Sequence, residues 1–478
     1  MEDTSQECLM VSECIACNTQ LETIHTEPFC TVLRDAFLLP PTTTSAPTTA
    51  PPPNTHDMPS RNATVLFILQ AALVFAWGFL AEYSTPDSDE TAVSPLTYSL
   101  FIHVGLMVFP GFGLLMAAPK NFSVGTPALI YIVAALAVQC TMLFHGMWLR
   151  VFDYEAWDAI VLDLTSAIHG LIGAATVLIG LGVVHGRLTI IQMAFFAVTC
   201  TFFATLNEII LVDVLDVVDT GGSLVVHAFG GLYGLAFLCA MPRSKARPIS
   251  SAALESATGF VYTDTVAFIG SMFLFVLWPS FNGGFSEGAV LHRVILNTFF
   301  ASMAAVLTSA AFFSSDDKLN IWAMQNSVLS GALGIGSAAA AVKSPAAAAG
   351  IGVIAALGCF LGYRFLNRIL VARGLLDTCG AFFLHGVVGL LAGLISVVVA
   401  RVESDSKLGG FPITDVYPER EPDGDHTAAG QAKAQLAGIA ITIVLSFASG
   451  ILSSAILYSK SRPLSIDLSF LSTTFMNE

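Results

Sequence analysis

Asp219-Thr220-Gly221-Gly222-Ser223-Leu224-Val225-Val226-His227 and Asp377-Thr378-Cys379-Gly380-Ala381-Phe382-Phe383-Leu384-His385 are two copies of one pattern, Asp-Thr-x-Gly-x-x-x-x-His. Each copy opens a long apolar run, and the copies lie 158 residues apart. Five spans separate the two runs, so they enter a bilayer from opposite faces. An inverted repeat is expected from this, with spans 2–6 and 7–11 related by a pseudo-two-fold axis in the membrane plane. At about 1.5 Å rise per residue, eight residues carry each histidine roughly 12 Å inward from its aspartate. Both rings are then expected near the midplane.

The rest of the chain fits a membrane frame. Of 478 residues, 55% are hydrophobic and 12% charged, about half the charge of a soluble domain. Twelve apolar spans can be drawn, at about 64–82, 98–117, 124–148, 159–184, 188–212, 221–241, 263–285, 292–313, 320–341, 346–367, 379–400 and 435–458. Most reach the length of about 20 residues that crosses a bilayer core. Runs such as Ala128–Ala137 do not alternate in polarity, which excludes a barrel. The expected fold is all-α: a polytopic membrane helical bundle of about twelve transmembrane helices with a five-plus-five inverted repeat.

Basic residues set the expected orientation. Thirteen lie on one side (Arg34, Arg61, Lys120, Arg187, Arg243, Lys245, Arg247, Lys318, Arg364, Arg368, Arg373, Lys460 and Arg462) and seven on the other (Arg150, Arg293, Lys343, Arg401, Lys407, Arg420 and Lys433). The bias puts both termini in the cytosol. Neither sequon, Asn62-Ala63-Thr64 or Asn121-Phe122-Ser123, is then expected to carry glycan. Three regions follow: residues 1–62 as a disordered cytosolic tail, 63–460 as the membrane domain and 461–478 as a short cytosolic tail. Pro40–Pro53 is rich in Pro and Thr, which disfavours a packed core. The first 30 residues show no secretory signal pattern.

Net charge of −15 argues against nucleic acid as a partner. An acidic surface suits a vestibule that attracts cations, and solubility of the outer loops explains it equally. Cys140, Cys200, Cys239, Cys359 and Cys379 lie in or beside spans and read as small core residues. Cys8, Cys14, Cys17 and Cys30 lie in the tail. Cys14 and Cys17 form a lone CxxC without a second ligand pair, so reduced thiols are expected there. No Walker-type phosphate loop is present.

Ionisable groups at membrane depth are costly and mark pathways, so His227 and His385 are the prime candidate residues. Neutral imidazole carries one donor and one acceptor nitrogen. Two in an apolar pore can hydrogen-bond a small molecule that is both donor and acceptor, or shuttle a proton. No Cys or carboxylate lies at helical spacing beside either histidine, so no metal or other cofactor is expected there. A hydrolytic site would want a nucleophile beside the base; Ser223 is one turn from His227, but alanine stands at the matching place before His385. No enzyme is expected. Asp219 and Asp377 suit helix N-termini as caps, a role compatible with drawing cations inward. His103, His145 and His169 have no repeat partner and read as core histidines.

Leu206-Asn207-Glu208, Asp219-Thr-Gly-Gly-Ser-x-x-x-His227-x-Phe229-Gly230, Trp278-Pro279-Ser280-Phe281-Asn282, Gln325-Asn326 and Asp377-Thr-Cys-Gly-x-x-x-Leu384-His385-Gly386 together resemble the Rh branch of the ammonium transporter (Amt/Rh) superfamily, over about residues 98–400. The resemblance implies a homotrimer in the lipid bilayer of the plasma membrane, with a pore in each subunit. It implies that ammonium is recruited at a vestibule, loses its proton, and crosses as ammonia past twin histidines matched by His227 and His385. Asp219 matches the aspartate beneath the outer vestibule, Asp377 is its inverted counterpart, and Phe281 matches one phenylalanine of the gate. Ile172 stands where the family's other gate phenylalanine is expected, so a cation loses an aromatic face there. The long Pro/Thr-rich tail and the short first outer loop also depart from the family. Passage of carbon dioxide or another small neutral gas, and a scaffold or ammonium-sensing role resting on the tail, are the alternatives.

Overall fold

Where lipid surrounds the chain, each backbone N–H and C=O must find a partner inside the protein, and helices satisfy that locally. The computed structural model describes residues 61–84, 94–117, 125–155, 157–242, 261–315, 318–403, 408, 410–420 and 427–459. The readings of the tails before residue 61 and after 459, with the four tail cysteines and the second sequon, lie outside the described residues.

Among the described residues, eleven helices are long and apolar enough to cross a membrane. In chain order the α-helices of six or more residues are α1 (Arg61–Leu80), α2 (Pro95–Leu106), α3 (Gly125–Val151), α4 (Leu164–Val183), α5 (Ile190–Ile209), α6 (Phe229–Ala240), α7 (Val261–Asn282), α8 (Gly288–Phe312), α9 (Ile321–Ser327), α10 (Ser330–Ile335), α11 (Pro345–Leu361), α12 (Asn367–Ala372), α13 (Val388–Val402) and α14 (Ala428–Tyr458), and π-helical turns extend several of them. Local chemistry starts several of them. Asp163 and Ser166 form a reciprocal capping box on α4, and Thr189 and Gln192 do so on α5. Pro95 and Pro345 occupy first-turn positions, where a missing N–H costs nothing.

The expected ninth span, 320–341, is not one helix. It breaks into α9, α10 and a 3₁₀ turn over Gly336–Ala338. Glycines 331, 334 and 336 weaken helix formation there. The backbone carbonyls are taken instead by neighbours: Ala332 O accepts from Asn282 Nδ2 at 2.9 Å, Leu333 O from Ser223 Oγ at 2.8 Å and Ala339 O from Asn297 Nδ2 at 2.8 Å. Irregular backbone survives at membrane depth when protein surrounds it in this way. Two short strand pairs were also not foreseen. Ala81–Tyr83 pairs in parallel with Ile160–Leu162, and Ser314–Ser315 pairs antiparallel with Lys318–Leu319.

Packing follows residue size. The larger core joins Val177, Leu178, Phe196, Phe229, Tyr233, Phe237 and Trp278. A second core of small side chains, Ala301, Ala338 to Ala341 and Ala348, lets α8, the broken element and α11 approach closely.

Candidate functional site

The two Asp-Thr segments build the same local structure. Gly222 and Gly380 both take left-handed backbone, with φ of 65° and 71°, a conformation in which a side chain is strained. A π-helical turn follows each, Ser223–Ala228 before α6 and Phe382–Val387 before α13. In the first, His227 N–H reaches back five residues to Gly222 O at 3.0 Å. Such turns recur at functional sites, because one wide turn shifts the side chain that follows.

Each aspartate caps its own segment. Asp219 Oδ2 accepts from Leu224 N at 2.8 Å and Val225 N at 2.9 Å, and Asp219 Oδ1 accepts from the Ser337 hydroxyl. Asp377 accepts from Ala381 N at 3.1 Å and Phe382 N at 2.8 Å. Each segment is also tied to a neighbour. Gly221 N bonds Gly336 O at 3.1 Å; Thr378 N and Cys379 N bond Val183 O and Gly182 O at 3.3 and 3.2 Å. Arg187, buried after α4, donates to Leu376 O at 2.8 Å and Thr378 Oγ1 at 3.2 Å. Beside it, burial and then the Arg187 charge lower the pKa of His185 to about 4, so His185 stays neutral beside its hydrogen-bond partner Thr126.

These anchors bring His227 and His385 together. Their Nδ1 atoms lie 3.2 Å apart and their rings stack at 29° with centroids 5.1 Å apart. Both are buried, at 1% and 4% exposure. A hydrogen bond between two neutral Nδ1 atoms needs one ring to donate and the other to accept. The two Nε2 ends are therefore of opposite character, one acceptor and one donor. The close approach depends on glycine: a Cβ on Gly231 would stand 2.5 Å from Gly386 N.

An aromatic wall encloses the pair. Trp278 lies 5.5 Å from His227 and 6.4 Å from His385, Phe281 lies 5.5 Å from His227, and Phe112 lies 6.4 Å from His385. His227 Nε2 and Trp278 Nε1 are buried with no hydrogen-bond partner among the described residues. The Trp-Pro-Ser-Phe-Asn string thus does several jobs. Ser280 Oγ bonds His103 Nδ1 at 2.9 Å, and Asn282 ties α7 to Thr298 and the broken element.

Two cavities lie near the pair, among residues that touch it. One of about 1050 Å³ is lined by Phe281, Ile172 and Asp219 among others. Its wall carries Glu208, Asp213, Asp216, Asp219, Glu287, Asp415 and Glu419, and no lysine or arginine among the described residues. A second, of about 30 Å³, is lined by His385, Gln325, Asn326 and Cys379 among others.

Two features escaped sequence reading. Ser223 and Ser337 lock the first segment to the broken element, Ser337 N donating to Ser223 Oγ at 2.9 Å. His145 and His169, read as core histidines, stack edge to face at 3.9 Å, and His169 Nε2 lies 2.8 Å from Glu208 Oε1. In the sequence Glu208 stands out only within Leu206-Asn207-Glu208.

The family model described as the Ammonium Transporter Family matches residues 64–467, most of the chain. The chain belongs to this family. Within the ammonium transporter family it is of the Rh type. Ammonium transporter Rh type C of Homo sapiens is 33% identical over 368 residues, covering 75% of this chain and 74% of that protein. The Bos taurus Rh type C protein is 28% identical over 410 residues, covering 82% and 87%. Rh type B of Takifugu rubripes is 29% identical over 401 residues, covering 81% and 85%. Among solved structures, Rh50 of Nitrosomonas europaea, of the Rhesus protein family of channels, superposes with a TM-score of 0.63 at 25% identity, over 80% of this chain and 95% of that one. Mep2 of Saccharomyces cerevisiae shares the fold, with a TM-score of 0.60 at 20% identity, over 81% and 93%. This member of the ammonium transporter family is an integral, multi-pass membrane protein.

Proposed function

We propose that this chain transports ammonium by recruiting it at the acidic vestibule and passing ammonia along a hydrophobic pore lined by His227 and His385. The observation that carries the reading is a buried histidine pair whose His227 Nε2 lacks a partner. A buried polar atom left unbonded costs about 1–3 kcal/mol. Ammonia, both donor and acceptor, removes that cost wherever the file of ring nitrogens offers the opposite character. Burial at membrane depth disfavours a charged ion beside the pair, so the proton is left at the vestibule. Phe281 and Ile172 both line the vestibule, and they serve as the gate. Asp219 and Asp377 fix the histidine-bearing turns, and Asp219 adds its charge to the vestibule. The functional unit is a homotrimer in the plasma membrane, with both termini cytosolic and the acidic vestibule outside.

The test is flux. Purified protein in liposomes with an internal pH dye is given an inward ammonium gradient. Alkalinisation faster than in empty liposomes is expected. A rate equal to that of empty liposomes, with fast acidification under a carbon dioxide gradient instead, would replace ammonia by a neutral gas as the substrate.

A further inference from the structure

Beside the vestibule lies a second polar cluster, in which Glu208 of the vestibule wall meets two histidines to which the pore assigns no role. His145 comes from α3, His169 from α4 and Glu208 from α5, and one ligand atom from each lies within 4.8 Å of the others. All three are largely enclosed, and they line a side cavity of about 460 Å³ whose rim carries Glu155 and Asp163. Glu208 lines the vestibule as well, so the cluster borders both spaces.

We infer that His145, His169 and Glu208 form a binding site for a first-row divalent cation of the zinc class, and that its occupancy slows ammonium access to the vestibule. Two imidazoles and one carboxylate are a donor set that suits zinc, and three protein ligands leave a fourth position for water from the side cavity. Such donors do not suit magnesium, which demands oxygen ligands in octahedral array. A tetrahedral ion with bonds of about 2.0–2.1 Å sets ligand atoms about 3.3 Å apart. The His169–Glu208 pair, at 2.8 Å, already approaches that spacing. The rest of the cluster closes by about 1.5 Å at most, the reach of a side-chain rotation. The helices that carry the ligands pack on one another, α3 on α4 and α5, so the site stands on rigid elements. A bound dication takes the Glu208 carboxylate out of the field that attracts cations and adds positive charge at the vestibule wall.

The binding half stands alone; the regulatory half rests on ammonium passage as proposed above. Zinc chloride is titrated calorimetrically into the full-length protein in detergent, with magnesium chloride as control. One zinc per chain is expected and no magnesium at the same concentration. His145→Gln and His169→Gln should each weaken zinc binding by more than about tenfold, the low end of what losing even an outer-shell partner costs. The visible spectrum of cobalt(II) added to the wild-type protein reads the coordination directly, so the claim does not depend on the variants folding. A four-coordinate spectrum supports the site; an octahedral, water-like spectrum refutes it. Unaltered zinc binding in both variants also refutes it. In liposomes, zinc should slow ammonium-driven alkalinisation by the wild type and leave His145→Gln, whose flux without zinc matches wild type, unaffected. Bound zinc that leaves wild-type flux unchanged overturns the regulatory half. Stoichiometric binding in a protein that conducts no ammonia upholds the site and refutes the conduction reading instead.

Discussion

His227 and His385 meet through one Nδ1 pair, and the residues that hold them there are as consequential as the rings. Asp219 is bonded by two backbone N–H groups and the Ser337 hydroxyl. Removing a helix cap costs about 0.5–2 kcal/mol. Asp219→Ala is expected to lose about that much and to lower the unfolding temperature in detergent, whereas Asp219→Asn, which keeps an acceptor oxygen, loses less. Equal losses in thermal unfolding would show that charge, not capping, is what the fold needs from Asp219. The histidines and aspartates were legible in the sequence because the pattern occurs twice. Trp278 was legible only as part of a string. Its place over both rings depends on how α7 packs, which no local spacing records.

At the scale of elements, the contact between α6 and the second π-helical turn depends on missing side chains. A Cβ on Gly231 would press on Gly386 N, and overpacking costs about 1–3 kcal/mol. Gly231→Ala should therefore push α6 away from the second π-helical turn and slow ammonium flux in liposomes by more than it lowers protein yield. Wild-type flux in this variant would mean that the histidine spacing tolerates movement. Eleven of the twelve expected spans correspond to long continuous helices, because a long apolar run has one stable solution in lipid. The ninth did not, since glycine and alanine read as apolar while Ser223, Asn282 and Asn297 take over its carbonyls from distant elements. The π turns were hidden for the same reason: they depend on hydrogen-bond register, not on polarity. The His145–His169–Glu208 cluster draws on three helices, and none of its residues is close enough in sequence to suggest the others.

For the whole molecule, the charge of the vestibule makes a distinct prediction. Seven carboxylates without a lysine or arginine line the large cavity among the described residues, and such fields raise local cation concentration and are screened by salt. Asp213→Asn with Asp216→Asn is expected to raise the ammonium concentration for half-maximal flux by up to about tenfold at low salt, with a smaller effect at high salt. A salt-independent effect would place these residues in a local structural role. Deletion of residues 1–60 should leave flux in liposomes intact; loss of flux would give the tail a part in conduction. Light scattering of the detergent-solubilised protein should give three copies per particle, and a monomer that still conducts would show that each pore works alone.

The central claim, that ammonia crosses past His227 and His385, is tested most directly by stopped-flow alkalinisation of liposomes holding wild type or His227→Ala with His385→Ala, matched for protein content. The account predicts fast alkalinisation in the wild type and a rate near that of empty liposomes in the double variant. A double variant that folds and alkalinises as fast as the wild type would contradict it.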